Sequence, residues 1–131
     1  MKKIFTVTSS RSEFGILKNI IFELSKSQRI NNKLIVTGTH LTSKFGKTID
    51  EINKLKINNV SKIQIKIAKT SSANSAIIAF NLIKKFNNYF KKDKPDAIIL
   101  FGDRFEILPI ANVCFLHKIP IIHIGGGETT E

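Results

Sequence analysis

A single cysteine, Cys114, stands in the 131-residue sequence, so no intrachain disulfide can form. It lies inside an apolar helical pattern, which reads as a buried, inert thiol rather than a reactive one. Nothing approaches the run of about 18 apolar residues that a membrane-crossing helix requires, so no membrane span is expected. The opening MKKIFTVTSSR places two lysines ahead of apolar residues. That apolar part is short and broken by threonines, and no small-residue cleavage site follows, so the reading is a cytoplasmic protein without a signal peptide. There is no GxGxxG loop, no HxxxH pair and no GxSxG elbow. These absences remove the usual signatures of a dinucleotide, a zinc ion and a serine nucleophile, and no cofactor or metal is expected. Internal repeats, low-complexity tracts and linkers are missing too. The length supports one domain, 1–131, with enough apolar content for a core.

Arginine is also scarce. Of 21 basic residues only three are arginine, which leaves 18 lysines behind most of the formal net charge of +11. Those lysines are dispersed over every helix and loop, and no basic run is interleaved with aromatic residues. A nucleic-acid binder concentrates its charge on one element, so nucleic acid is not the expected partner. Arg11 and Arg104 each fall directly after an expected strand, whereas Arg29 reads as surface. Positive charge at strand ends suits an anionic small molecule.

What is present is an alternation of strands and helices. Lys3 to Thr8 reads as the first strand, and Phe14, Leu17, Ile20, Ile21 and Leu24 set a helix running to about Ser27. Ser10 or Ser12 can cap that helix, with Glu13 as the partner three residues on if Ser10 is the cap. Its free backbone N–H groups would favour a phosphate or a carboxylate. Lys33 to Thr37 reads as a second strand, followed by Gly38-Thr39-His40-Leu41 and a short helix from Ile49 to Leu55 with Thr48 as its cap. Ser61 to Ile67 alternates and suits a strand near the sheet edge, solvated on one side. The longest helix, Ala73 to Lys91, carries an expected buried stripe of Ala76, Ala79, Phe80, Ile83, Phe86 and Phe90. Ala97 to Phe101 and Ile119 to Ile124 are short apolar runs that suit buried parallel strands, joined by a helix from Phe105 to His117 with Pro109 in or near its first turn. The class is α/β, a doubly wound parallel sheet that is Rossmann-like.

In such a sheet all strand ends open on one edge, where ligands bind. The four strongest ends carry Ser10, Arg11 and Glu13; Gly38, Thr39 and His40; Gly102, Asp103 and Arg104; and His123, Gly125, Gly126, Gly127 and Glu128. Carboxylates, imidazoles and guanidinium groups would share one cleft there, and neighbouring charges can tune carboxyl groups for acid–base work. The glycines let a ligand approach the backbone closely.

Four motifs carry a resemblance. SSRSEFG (residues 9–15), TGTHL with FGKT (residues 37–48), FGDRFE (residues 101–106) and HIGGGE (residues 123–128) resemble, in order, the motifs of the hydrolysing UDP-N-acetylglucosamine 2-epimerases and of their relatives that act on UDP-diacetylbacillosamine. The SSRSEFG opening differs from the GTRPE-type opening of the non-hydrolysing branch. The resemblance implies the N-terminal half of a glycosyltransferase-B-like two-domain fold, with the active site between two Rossmann domains. It also implies release of N-acetylmannosamine and UDP through a glycal, as in sialic acid biosynthesis. Asp103 and Glu128 match the family's catalytic carboxylates. Arg11 falls near the diphosphate, while His40, Arg104, His123, Gly126 and Gly127 match substrate-side positions; Glu13 and Glu106 match motif positions and brace the loops. Members of the family are much longer than this chain, so an N-terminal domain is expected here without the C-terminal UDP-binding domain, inactive by itself. Its partners would be a UDP-sugar, the missing domain and, as the family implies, further copies of itself. A nucleotide-sugar-binding half without acid–base chemistry and an interaction module are the alternatives.

Overall fold

A computed structural model of the chain describes residues 1–41, 48–55, 57–66, 72–127 and 129. Five strands form one sheet in the order β3-β2-β1-β4-β5, and every pairing is parallel. They are β1 (Lys2–Thr8), β2 (Ile30–Val36), β3 (Val60–Lys62), β4 (Ala97–Phe101) and β5 (Ile121–Ile124). The helices are α1 (Arg11–Lys26), α2 (Thr48–Lys54), α3 (Ser72–Lys92) and α4 (Ile107–Leu116), with a short 3-10 turn at Gly38–Leu41. The doubly wound α/β architecture expected from the alternation is therefore present, and β3 is an edge strand.

The sheet divides two cores by the two-residue period of its strands. Phe5 and Val7 of β1, Ile35 of β2, and Ile98 and Leu100 of β4 face α3 and α4. Leu34 and Val36 of β2 and Ile99 of β4 point the other way, onto Phe14, Leu17 and Ile21 of α1 and Ile52 of α2. Each such side chain contributes on the order of 1.5–3 kcal/mol when fully buried. Strands buried on both faces cannot alternate with polar residues, which is why β2 and β4 end in continuous apolar runs.

Four expectations change. The strand β5, expected as a buried run from Ile119, spans Ile121–Ile124 at the end of the strand order and is largely exposed, with Ile121 38% and Ile122 46% exposed. The strand β2 starts at Ile30, three residues before Lys33, because Lys2 to Thr8 pairs with Ile30 to Val36 along its full length. The strand β3 is limited to Val60–Lys62. Ile63 and Ile65 are nevertheless buried, with Gln64 and Lys66 exposed between them, so the inward–outward alternation outlasts the strand pairing. On α3 the buried row is Ile78, Leu82, Phe86 and Phe90, while Phe80 is 66% exposed and Ala76 and Ile83 also face outward. The helix is apolar on more than one face, so periodicity admits two adjacent rows. Packing selects the straight i, i+4 row, where Phe86 and Phe90 meet edge to face at 5.7 Å.

At the amino edge of the sheet, Lys3 Nζ donates to Asp93 Oδ1 at 2.7 Å and Lys33 Nζ donates to Asp93 Oδ2. Lys33 also lies over the Phe5 ring, 5.2 Å from its centroid. This cluster ties the end of α3 to the starts of β1 and β2, opposite the edge that carries the site.

Candidate functional site

The carboxyl ends of β1, β2, β4 and β5 bring the motif residues to one edge. The end of β1 is polar and closed: Thr6, Thr8, Ser9 and Ser10 are all buried. Ser10 is the N-cap residue of α1 with an extended backbone, but its side chain makes no capping bond and its Oγ lies 3.1 Å from Ser12 Oγ. Glu13 reaches one residue further back than a capping box requires. Its Oε2 accepts from the Ser9 backbone N–H at 2.8 Å and from Ser9 Oγ at 2.9 Å. Glu13 is only 4% exposed, and among the described residues its Oε1 has no hydrogen-bond partner.

Arg11 opens α1 with its guanidinium in solvent, 3.0 Å from Glu51 Oε1 on α2. Both side chains are largely exposed, so this pair is weak and an arriving anion can replace it.

His40 is placed differently from the other motif residues. It is 1% exposed, with Nε2 2.9 Å from Thr8 Oγ1 and Nδ1 2.7 Å from Thr48 Oγ1. Burial pushes its pKa down to about 4, against the Ser10 carbonyl and the Glu51 charge, which raise it. The ring is therefore neutral at pH 7, and both nitrogens are occupied. It links the end of β1 to the start of α2 and supports the cleft from behind. The sequence position, just past a strand end, matched that of Arg11 and Asp103, but carried no sign of the two threonines that enclose the ring.

The β4 end turns at Gly102, whose φ of +82° is a left-handed conformation that a side chain would strain. Asp103 follows, exposed, and its carboxylate has no side-chain partner among the described residues. Arg104 folds onto the buried Glu106, with Nη2 3.2 Å from Oε1 and Nε 3.4 Å from Oε2. Ile107 N–H also donates to Arg104 O at 2.9 Å. Glu106 thus braces the loop.

At the β5 end, His123 Nε2 lies 2.7 Å from Gly102 O, which spans from β5 to β4 directly beside Asp103. Gly126 closes on this ring so tightly that a Cβ would stand 2.2 Å from His123 Cε1. Gly127 is exposed next to it. Asp103, Arg104, His123, Gly126 and Gly127 are thereby assembled around Gly102, and Glu13 lies beneath it. Glu128 and the 45–47 stretch of the second motif lie outside the described residues. Among the described residues no group of three His, Cys, Asp or Glu side chains could hold a metal ion. Nor, among the described residues, is any helix long and apolar enough to cross a membrane. A groove of about 680 Å³ lined by Lys18, Phe22, Asn31 and Asn59 opens near the starts of the strands, away from all of these groups.

Residues 22–131 match the model of a family described as UDP-N-acetylglucosamine 2-epimerase. The chain belongs to this family. Among its epimerase relatives, the GDP/UDP-N,N'-diacetylbacillosamine 2-epimerase (hydrolyzing) of Campylobacter jejuni is 37% identical, over 98% of this chain and 33% of that protein. The UDP-N,N'-diacetylbacillosamine 2-epimerase (hydrolyzing) of Legionella pneumophila is 30% identical, over 98% of this chain and 34% of that protein. The solved UDP-GlcNAc 2-epimerase from Neisseria meningitidis, bound to UDP-GlcNAc, superposes with a TM-score of 0.77 at 26% identity, over 98% of this chain and 33% of that one. This epimerase-family chain spans about a third of the length of the relatives it matches.

Proposed function

We propose that the chain supplies the N-terminal, sugar-facing half of the active site of a hydrolysing UDP-sugar 2-epimerase. The observation that carries this reading is the assembly around Gly102. An exposed carboxylate, Asp103, with no side-chain partner among the described residues, directly follows the carbonyl that holds the His123 imidazole and directly precedes the exposed guanidinium of Arg104. The substrate is a UDP-linked 2-acetamido sugar. The names of the relatives at 37% and 30% identity favour the 2,4-diacetamido sugar, UDP-diacetylbacillosamine, over UDP-N-acetylglucosamine.

In the reaction a carboxylate takes the proton from C2, the C2–C1 double bond forms, and the C1–O bond breaks with its electron pair leaving on UDP. Water then adds across the glycal, hydroxyl to C1 and a proton to C2 on the opposite face, which releases the free epimerised sugar. Asp103 and Glu128 carry these two proton transfers, and Arg11 meets the diphosphate at the start of α1. His123 orients the Asp103 loop through Gly102.

The test joins this chain to the region its relatives have beyond the matched third and supplies each of the two UDP-sugars in D2O. The expected products are UDP and a free sugar with one deuterium at C2, and Asp103→Asn should remove both. Release of a sugar with no deuterium at C2 would overturn the mechanism. Unimpaired turnover by Asp103→Asn would favour a nucleotide-sugar-binding half whose chemistry lies elsewhere.

A further inference from the structure

The outer side of the α3–α4 layer is apolar and uncharged. No charged residue occurs between Ser72 and Ile83 or anywhere in α4, in a chain where 24% of residues are charged. On α3, Ala76, Phe80, Ile83 and Asn87 form one row at the spacing i, i+4, i+7, i+11; on α4, Leu108, Asn112 and Phe115 form another at i, i+4, i+7. Phe80 and Leu108 are each 66% exposed and Phe115 is 79% exposed, with Ile77 and Ile83 exposed beside Phe80. A helix that is apolar on all sides, as α4 is, belongs in an interior, yet here only one of its sides is covered.

The two rows adjoin. The helices α3 and α4 lead into the neighbouring parallel strands β4 and β5, so they run in the same direction, and they pack side by side. Asn87, on the α3 row, has its Oδ1 2.8 Å from Nε2 of His117, just past the end of α4, which sets the relative height of the helices. At about 1.5 Å per residue, Phe80 lies about 10 Å from Asn87 and Leu108 about 13 Å from His117, both towards the ligand edge. Phe80 and Leu108 therefore stand within one turn of each other, and the two rows make one apolar strip.

Charge selects what covers the strip. At a formal net charge of +11, with lysines dispersed over the surface, two copies of the chain repel each other at most orientations. A two-fold contact sets one patch against itself, so it has to be free of like charges. The opposite helix layer does not qualify, because α1 exposes Arg11, Lys18, Glu23 and Lys26. The α3–α4 strip does, and it offers large apolar side chains as well. We propose that this strip, centred on Phe80 and Leu108, is the surface through which two copies of the chain associate about a two-fold axis. It lies on the helix layer and not at the carboxyl ends of the strands, so Arg11, Asp103 and His123 stay open in both copies. The association is independent of the chemistry proposed at those strand ends.

Sedimentation equilibrium of the 131-residue chain, from micromolar to near-millimolar concentration, tests this directly. The mass should rise to twice 14.7 kDa. Phe80→Glu or Leu108→Glu should return it to the single-chain value, since each places like charges against each other across the two-fold axis. Phe80→Ala should weaken association about tenfold or more. Phe22→Glu, at a similarly exposed aromatic residue on α1, should leave it unchanged. All these side chains are exposed, so the core is untouched, and circular dichroism checks the fold; where a glutamate variant does not fold, Phe80→Ala decides. A single-chain mass throughout the range overturns the inference, as does a dimer that survives the substitutions at Phe80 and Leu108 or is lost with Phe22→Glu. Joining the chain to the region its relatives have beyond the matched third gives a second reading. A dimer of that longer protein that Phe80→Glu separates supports the inference; a monomer means that the strip is covered from within one chain, which overturns it.

Discussion

His123 and Gly126 are in closer contact than a side chain at position 126 would permit: a Cβ there would lie 2.2 Å from His123 Cε1 and 2.5 Å from Nε2. The ring is held in that position by Gly102 O, 2.7 Å from Nε2. A carbonyl only accepts, so Nε2 carries a proton. Gly126→Ala must therefore displace the imidazole or the backbone. We expect loss of the His123 Nε2–H···O bond, visible by ¹⁵N NMR as a tautomer change or a released ring. The overpacking should cost about 1–3 kcal/mol unless the exposed ring swings out, in which case the cost falls but the tautomer signal still changes.

The buried His40 should make stability fall as the pH falls. Its folded-state pKa is about 4 against an ordinary 6.5, so the unfolded chain takes up the proton first. Stability conferred by the neutral ring is complete above about pH 6.5 and is lost between there and about 4, by at most about 3 kcal/mol. Urea unfolding at pH 7 and pH 4.5 should show a larger loss for the wild-type chain than for His40→Gln, whose amide does not titrate. Equal losses would show that His40 is not neutral in the folded protein. At pH 7 the substitution itself should be destabilising, because the Thr8 and Thr48 hydroxyls lose the bridge between them.

Cys114 should be silent until the chain unfolds. Burial pushes its thiol up to about 12, with a backbone hydrogen bond opposing the shift, so almost no thiolate is present at pH 8. An aromatic disulfide reagent at pH 8 should not react with the native chain and should react stoichiometrically in denaturant. Rapid labelling of the native protein would mean that the α3–α4 core opens.

Asp93 should support the amino edge of the sheet at neutral pH. Its carboxyl group is held below the usual range: burial raises the pKa, but the hydrogen bonds and charges of Lys3 and Lys33 outweigh that and lower it. The stabilisation is therefore present above the unfolded-state value of about 3.9 and is lost as the pH falls through the lower folded-state value. Asp93→Asn should cost about 1 kcal/mol at pH 7, a figure reduced for the partial exposure of these side chains. The difference from wild type should shrink towards pH 2 in chemical denaturation.

The strand–helix alternation, the parallel sheet and the gathering of Arg11, Asp103, Arg104 and His123 at one edge were all legible in the order of residues. Two local properties made them so. Strands buried on both faces must be short apolar runs, and a chain that alternates them with helices has its strand ends on one side.

Other features depended on three-dimensional packing. Sequence periodicity on α3 was compatible with two adjacent rows, and only contact with α4 and the sheet selected Ile78, Leu82, Phe86 and Phe90 over Phe80 and Ile83. The strand β2 gained Ile30 to Asn32 because β1 pairs with them, although those polar residues read as a turn. His40 read as loop chemistry and Glu13 as a capping partner of Ser10, and both are buried: the first between two threonines, the second with one oxygen held by Ser9 and the other without a partner among the described residues. The sequence alone determined which chemical groups reach the ligand edge, since the strand period and the βα order are local properties. Which of those groups face solvent and which stand behind them was decided by the tertiary structure, because burial and hydrogen-bond partnership arise from residues far apart in the chain.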